Sequence, residues 1–240
     1  MKKNSAKVMK ILCSICARGG SKGIKNKNLK QFCGKPLMFF TINQAKKSKL
    51  FNKIVCSSDS KKILKISKKY GVDLTINRPK KISSDKTPKI EAIRHLTINA
   101  ENFFKTRFDL IVDLDVTAPL RSLKDIKNAI KIMSNKKKKP FNLVTLTPCR
   151  KNPYFNMVEV KNRRLKMVKQ SNRKITSRQL APQVFDIDPC IYIWNRLGLL
   201  SNRKIINKNT CFYVAPKERS LDIDSNLDFR LVQFLFKSQE

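Results

Sequence analysis

Acid is scarce in this sequence: 17 Asp and Glu stand against 53 Lys and Arg in 240 residues, a formal net charge of +36. There is a single histidine, His95, inside a stretch of helical periodicity and away from any nucleophile. A serine or cysteine activated by histidine is therefore disfavoured, and a structural or surface role suits His95 better. No apolar run approaches the ~20 residues of a membrane span. The start, Met1–Lys10, is polar and has no apolar leader core, so a cytoplasmic protein is expected, without a membrane partner. The seven cysteines are odd in number and irregularly spaced, which excludes a simple disulfide framework. Cys13 and Cys16 have the C-x-x-C spacing, but no second pair exists, and on a strand positions i and i+3 face opposite sides. Free thiols in a reducing compartment are the better reading. A P-loop and a dinucleotide fingerprint are also missing, since neither spacing occurs.

The basic residues that dominate the composition are spread along the chain rather than gathered in a tail or one helix. Their densest run, Lys136–Lys139 beside Pro140, reads as a solvated turn. That distribution fits a charged surface, and no nucleic-acid partner is expected. A basic RNA-binding protein is the alternative from another class, but it lacks the short RNA-binding signatures. The field of such a surface draws small anions. Length and a 41% hydrophobic content suit one domain, residues 1–240, with a self-sufficient core.

Glycine is rare too, six in all, yet Gly19, Gly20 and Gly23 fall within five residues. They follow the β-prone stretch Lys10–Ala17 and are interleaved with Ser21 and Lys22, with Arg18, Lys25 and Lys27 around them. A strand feeding a loop of free backbone donors and cations is an anion cradle.

Further along, strand and helix patterns alternate. Strands are expected at Lys53–Ser57, Val72–Asn77, Asp109–Asp115 and Leu143–Thr147. Helices are expected at Leu37–Lys47, Ser60–Tyr70, Lys89–Phe104 and from Ser122 to Met133. The expected fold is α/β, a mostly parallel sheet flanked by helices. The anion loop, Asp59, the Arg78–Pro88 loop and Asp115 then fall at the C-terminal strand ends, where such sheets bind ligands. From 148 to 187 the rhythm changes to short strands, Met157–Val160 and Leu165–Val168, and a polar arm, which reads as an excursion from the sheet. Strands resume at Cys190–Trp194 and Cys211–Val214, and Ser225 starts a closing helix from Asn226 to Phe236.

Against so little acid, paired carboxylates stand out. Asp222 and Asp224, one residue apart on an extended segment, point to the same side and can share a hard divalent ion, with Asp115 a third carboxylate for that site. The alternative is that Asp224 caps the helix and Asp222 is surface. A cationic cradle beside a carboxylate-held metal belongs to phosphoryl or nucleotidyl transfer.

These residues carry a resemblance. Ile15–Leu29, Ser57-Ser-Asp59, Arg78-Pro79 with Ser84-Asp85, Leu114–Arg121 and Asp222–Asp228 occur in the order found in the CMP-sialic acid synthetases, or acylneuraminate cytidylyltransferases. Within that family, Asp113-Leu-Asp115, Asn152–Asn156, Thr176–Gln179 and Ile191–Trp194 look most like bacterial CMP-legionaminic acid synthetases. The resemblance implies a nucleotide-diphosphosugar transferase, Rossmann-like fold, with 148–187 as a dimerisation excursion and a homodimer as the assembly. It implies transfer of CMP from CTP to an acidic nine-carbon sugar used in surface glycoconjugates, with a KDO or pseudaminic acid enzyme as the alternative. Arg18, Lys22, Lys27 and Asp224 match catalytic positions. Ala17, Arg18, Gly19, Ser21, Lys22, Asn28, Arg78, Asp85 and Thr87 match nucleotide-binding positions. Asp115, Thr117, Arg178, Gln179 and Asp188 match positions around the sugar. Asp222 and Asp224 match ligands of Mg2+ (or Mn2+). One departure is Asp188-Pro189-Cys190, where the family usually carries Asn-Gly or Asn-Ala. A carboxylate there would repel an acidic sugar unless a cation such as Arg173, Lys174 or Arg178 neutralised it.

Overall fold

Strand β1 (Ile11–Cys16) lies inside the molecule because both of its faces are apolar. Ile11, Cys13 and Ile15 join one buried cluster, and Leu12 joins a second cluster on the opposite face, as the pleat requires. Cys13 and Cys16 accordingly belong to different sides of the sheet, and no disulfide links any of the seven cysteines among the described residues. The computed structural model describes residues 8–135, 140–201 and 204–238; the lysine run 136–139 and the first seven residues lie outside the described residues.

After the loop that leaves β1 come a small hairpin, β2 (Gln31–Phe32) and β3 (Lys35–Pro36), and helix α1 (Leu37–Ser48). Then follow β4 (Lys53–Ser58), α2 (Lys61–Lys69), β5 (Leu74–Asn77), α3 (Lys89–Phe104), β6 (Leu110–Leu114), α4 (Leu123–Met133) and β7 (Asn142–Pro148). The excursion carries the hairpin β8 (Val158–Lys161) and β9 (Arg164–Met167). The chain returns through β10 (Phe185–Asn195), α5 (Arg196–Ser201), β11 (Thr210–Val214) and α6 (Asn226–Lys237).

Seven strands form the main sheet in the order β11-β7-β10-β6-β1-β4-β5. Every pairing is parallel except those of β10, which runs against both β6 and β7. Apolar residues of α1, α2, α4 and α6 fill one side, and those of α3 and α5 fill the other. The reversed direction of β10 brings its entry to the same edge as the C-terminal ends of its neighbours. Ile191 pairs with Leu114, so Asp188–Cys190 stands just beyond the end of β6.

That entry differs from the sequence expectation. The strand begins at Phe185, five residues before Cys190, and its register with β7 shifts between Asp188 and Tyr192. Pro189 has no N–H to give the ladder, and a bulge accommodates it. The hairpin β2–β3 and helix α5 were also unforeseen, because elements of two and six residues carry no periodicity. The hairpin still matters: fully buried Phe32 meets Phe40, Phe229 and Phe236 edge-on, with ring centroids 5.1, 5.7 and 5.3 Å away. This aromatic cluster docks α6 against the start of the chain.

Two polar networks fix the ligand edge. Buried Arg121 donates to the Cys190 carbonyl at 2.5 Å, to the Asp115 carbonyl at 3.2 and 3.3 Å, and to Thr41 and Gln44 of α1. It therefore ties the end of β6 to the bulge of β10. Asp125, inside the capping box that Ser122 gives α4, accepts from Tyr213 Oη at 2.6 Å and from Arg219 at 2.8 and 2.9 Å. Arg219 lies just ahead of the segment Ser220–Asp224, so this network anchors the approach to the acid pair.

Burial pushes the Asp125 carboxyl up, but the hydrogen bonds from Arg219, Tyr213 and Ser122 hold it down at about 2. A folded pKa below the unfolded ~3.9 adds stability that is complete above pH ~4 and is lost as pH falls towards 2. Asp125→Asn is expected to lower the melting temperature at neutral pH and to flatten the loss of stability between pH ~4 and ~2. Urea melts across that range check this; an unchanged acid slope would mean that Asp125 does not carry the linkage.

Candidate active site

Glycine shapes the loop that leaves β1 at one close approach. A Cβ on Gly23 would lie 2.1 Å from the carbonyl oxygen of Asp224, so only glycine lets the first loop lie against the segment ahead of α6. Lys27 reinforces this contact, donating to the Ile223 carbonyl at 2.5 Å and to Asp224 Oδ1 at 2.9 Å. From the other side, the Ile223 N–H donates to the Thr117 carbonyl at 2.9 Å. Within the loop, the Asn28 amide donates to the Arg18 carbonyl, and the Gly19 N–H donates to Asp59 Oδ1, both at 2.9 Å.

These contacts enclose a cleft of about 530 Å³ at the C-terminal edge of the sheet. Of the residues singled out from sequence, Arg18, Ser21, Lys22, Lys27, Arg78, Asp85, Thr87, Asp115, Thr117, Asp222 and Asp224 all line it. Cations and hydroxyls gather on one side. Arg78, 6% exposed, donates to Ser83 Oγ at 3.1 Å and lies 3.8 Å from Asp59. Arg18 and Lys22 both pair with Asp85, the latter at 2.7 Å, so a protein carboxylate sits on the cations that the resemblance assigns to a triphosphate.

Carboxylates gather on the other side. Burial pushes Asp222 up to about 6, and the charges of Asp224, Asp188 and Asp115 add to the rise. Asp115 behaves oppositely. Burial works against its charged form, but Lys89, with Nζ 2.6 Å from Oδ2, and the two Thr117 hydrogen bonds to Oδ1 hold it at about 2.

Other expected residues stand off the cleft wall. Ala17 is buried and donates its N–H to the Ser57 carbonyl, and Asn28 is 6% exposed and supports the loop from behind. Gly19 is turned to Asp59. Arg178 and Gln179 lie in a short 3-10 turn on the exposed arm, outside the cleft of the single chain. Asp188 is 3% exposed, because the bulge turns Pro189 to the cleft in its place. Its Oδ1 accepts from the Cys190 N–H at 2.7 Å. Burial raises its pKa, and Arg121 is the cation that opposes this. Arg173, Lys174 and Arg178 form no ion pair with it among the described residues.

Sequence reasoning missed Lys89, whose ammonium lies 2.6 Å from both Asp113 and Asp115. The available signal was a lysine opening a helix directly after Pro88, where a cation is unfavourable.

A cationic loop facing carboxylates across a strand-end cleft can hold a polyphosphate and orient a second polar substrate. The comparisons with known proteins name the family. Residues 12–205 match the family model described as "Cytidylyltransferase". The chain belongs to the cytidylyltransferase family. It is thereby a nucleotidyltransferase, and the expectation of transfer from CTP holds at that level.

The chain is 42% identical over 229 residues to the "Post-translational flagellin modification protein B" of Campylobacter coli, covering 95% of this chain and 96% of that one. It is 43% identical over 225 residues to the "CMP-N,N'-diacetyllegionaminic acid synthase" of Campylobacter jejuni, covering 94% of each. The N-acylneuraminate cytidylyltransferase of Escherichia coli is more distant, at 29% identity, and the match spans 51% of its length. Among solved structures, a CMP:2-keto-3-deoxy-manno-octonic acid synthetase complexed with CTP shares the fold at a TM-score of 0.69 and 14% identity, covering 96% of this chain and 100% of that one. The expected α/β sheet of the nucleotidyltransferase type is therefore the fold found. No helix among the described residues is long and apolar enough to cross a membrane.

Proposed function

We propose that this cytidylyltransferase moves CMP from CTP to the anomeric hydroxyl of a nonulosonic acid of the legionaminic type, in the cytoplasm, releasing pyrophosphate. One observation carries the reading: Arg18, Lys22 and Lys27 converge with Asp115, Asp222 and Asp224 in one cleft. The 43% identity over nearly the whole of both chains to a CMP-N,N'-diacetyllegionaminic acid synthase supports the choice of sugar. In this reading Arg18 and Lys22 exchange Asp85 for the triphosphate. Arg78, Asp85, Thr87 and their loop surround the nucleoside. Asp115 and Thr117 face the sugar, and the Thr117 hydrogen bonds orient the Asp115 carboxylate before any substrate arrives.

A divalent ion would have the acid pair alone: no group of three His, Cys, Asp or Glu that could hold a metal occurs among the described residues, and the expected third carboxylate, Asp115, is engaged by Lys89 and Thr117. Asp222 and Asp224 both line the cleft, and burial first, then the charges of Asp224, Asp188 and Asp115, push Asp222 up, so a cation there would relieve the negative charge. Two carboxylates together with substrate phosphates are the ligand set that Mg2+ accepts, and Mn2+ with it. Asp222 and Asp224 would hold the ion, Lys27 keeping one oxygen of Asp224. Bound there, it would supply charge neutralisation for the phosphates.

The assembly in this reading is a homodimer formed by the excursion. On the β8–β9 hairpin, Val158 pairs with Met167 and Val160 with Leu165, so these four share a face. Val160 and Leu165 are 71% and 73% exposed in the single chain, a cost that a second copy would remove.

Pyrophosphate release from CTP, tested against legionaminic, N-acetylneuraminic, pseudaminic and KDO acceptors, decides the function. The legionaminic acceptor is expected to give the highest kcat/KM, and excess chelator to abolish turnover. Arg18→Ala and Lys22→Ala are expected to lower kcat/KM for CTP by ~10–100-fold, the worth of one charge-assisted contact, with little change in melting temperature. Absence of pyrophosphate with every acceptor, or full activity in chelator, would defeat the reading. Light scattering should give twice the chain mass of 27.8 kDa, and Leu165→Glu should halve it. A wild-type monomer would refute the dimer.

A further inference from the structure

Lys89 sits against a local rule. It is the first residue of α3, after Pro88, which gives the helix no side-chain cap, so its cation stands at the end where backbone N–H groups already concentrate positive charge. Such a conflict survives where the site needs it. Two acids compensate. Nζ lies 2.6 Å from Asp113 Oδ2 and 2.6 Å from Asp115 Oδ2. Asp113 is fully buried and also accepts from the Ser14 hydroxyl at 2.6 Å, so it belongs to the sheet and holds the ammonium from behind. Asp115 Oδ1 is engaged by Thr117.

An ammonium carries three N–H donors; one is given to Asp115 Oδ2, and Asp113 holds the charge as an ion pair. Lys89 lines the cleft with 28% of its side chain exposed, so donor capacity remains for a bound molecule. Asp115 lines the cleft beside it and keeps acceptor capacity on Oδ2. The trio carries one positive and two negative charges, and Asp222 and Asp188 lie within its field. The local charge is therefore negative, which favours a neutral group over a phosphate or carboxylate at Lys89. Such a group would need both a donor and an acceptor.

We propose that Lys89 is a specificity-determining residue for the acceptor sugar, its free N–H and the Asp115 carboxylate reading the C=O and N–H of one acylamino substituent. The proposal rests on the cytidylyltransferase reading of the cleft. Sites built to hydrogen-bond a substituent reject analogues lacking it far more strongly than apolar pockets do.

The test compares kcat/KM for an N-acylated nonulosonic acid and its N-deacylated amine in wild type, Lys89→Met and Lys89→Arg. Wild type should favour the acylated acceptor. Lys89→Met should reduce the acylated-to-amine ratio by about tenfold or more while the KM for CTP stays within about twofold, and Lys89→Arg should restore part of the ratio. Removing the lysine leaves two facing carboxylates, which can impair folding. The double variant Lys89→Met/Asp113→Asn removes the excess charge and should show the same change in ratio. An unchanged ratio in a folded variant, with active wild type, overturns this proposal alone. So does a KM for CTP that rises in step with that for the sugar. A wild-type enzyme that releases no pyrophosphate with any acceptor overturns the functional reading itself, and this proposal with it.

Discussion

Lys27 joins the two ends of the site. Its ammonium reaches from the loop after β1 to the Ile223 carbonyl and Asp224, 197 residues away in sequence, while Gly23 leaves room for that segment to lie close. Without this clasp the cationic loop and the carboxylate pair would be separate surface features. With it they become opposite walls of one cleft. The aromatic packing of Phe32 on Phe229 and Phe236 holds the same two ends from the core side. A single polar bond is worth only ~1 kcal/mol net, so the packed rings set the distance and Lys27 sets the register.

Charge balance is the second constraint. A chain with so large an excess of cations has few acids to spend, yet Asp59, Asp85, Asp113, Asp115, Asp188, Asp222 and Asp224 all stand at or near the ligand edge. They divide the labour. Asp85 occupies Arg18 and Lys22, Asp113 secures Lys89, and Asp188 faces the field of buried Arg121. Asp222 has no cation in contact among the described residues and is pushed up to about 6. The free protein thus holds Arg18 and Lys22 on one of its own carboxylates and leaves Asp222 without such a pairing.

Much of this was legible in sequence because it rests on local signals. The apolar β-prone run of β1, the capping serines at Ser122 and Ser225 and the full span of α3 follow from short-range pattern, and each was placed to within a residue or two. The acid pair and the glycine loop were visible because acid and glycine are rare. What sequence could not show depends on long-range register. The bulge at Asp188–Tyr192 is a shift in the register of β10 on β7, and it turns Pro189 rather than Asp188 to the cleft. The Lys89 clamp joins a helix start to a strand end 26 residues later, and nothing in either segment announces the other. Arg121 likewise read as the end of a motif, although its contacts span α1, β6 and β10.

The most direct measurement is a crystal structure with a non-hydrolysable CTP analogue. The triphosphate is expected between Arg18 and Lys22, with Asp85 moved beyond hydrogen-bonding distance of both. A metal ion is expected between that triphosphate and the Asp222–Asp224 pair. Phosphates bound away from the loop after β1, or an Asp85 still paired with Arg18 and Lys22 beside a bound nucleotide, would contradict it.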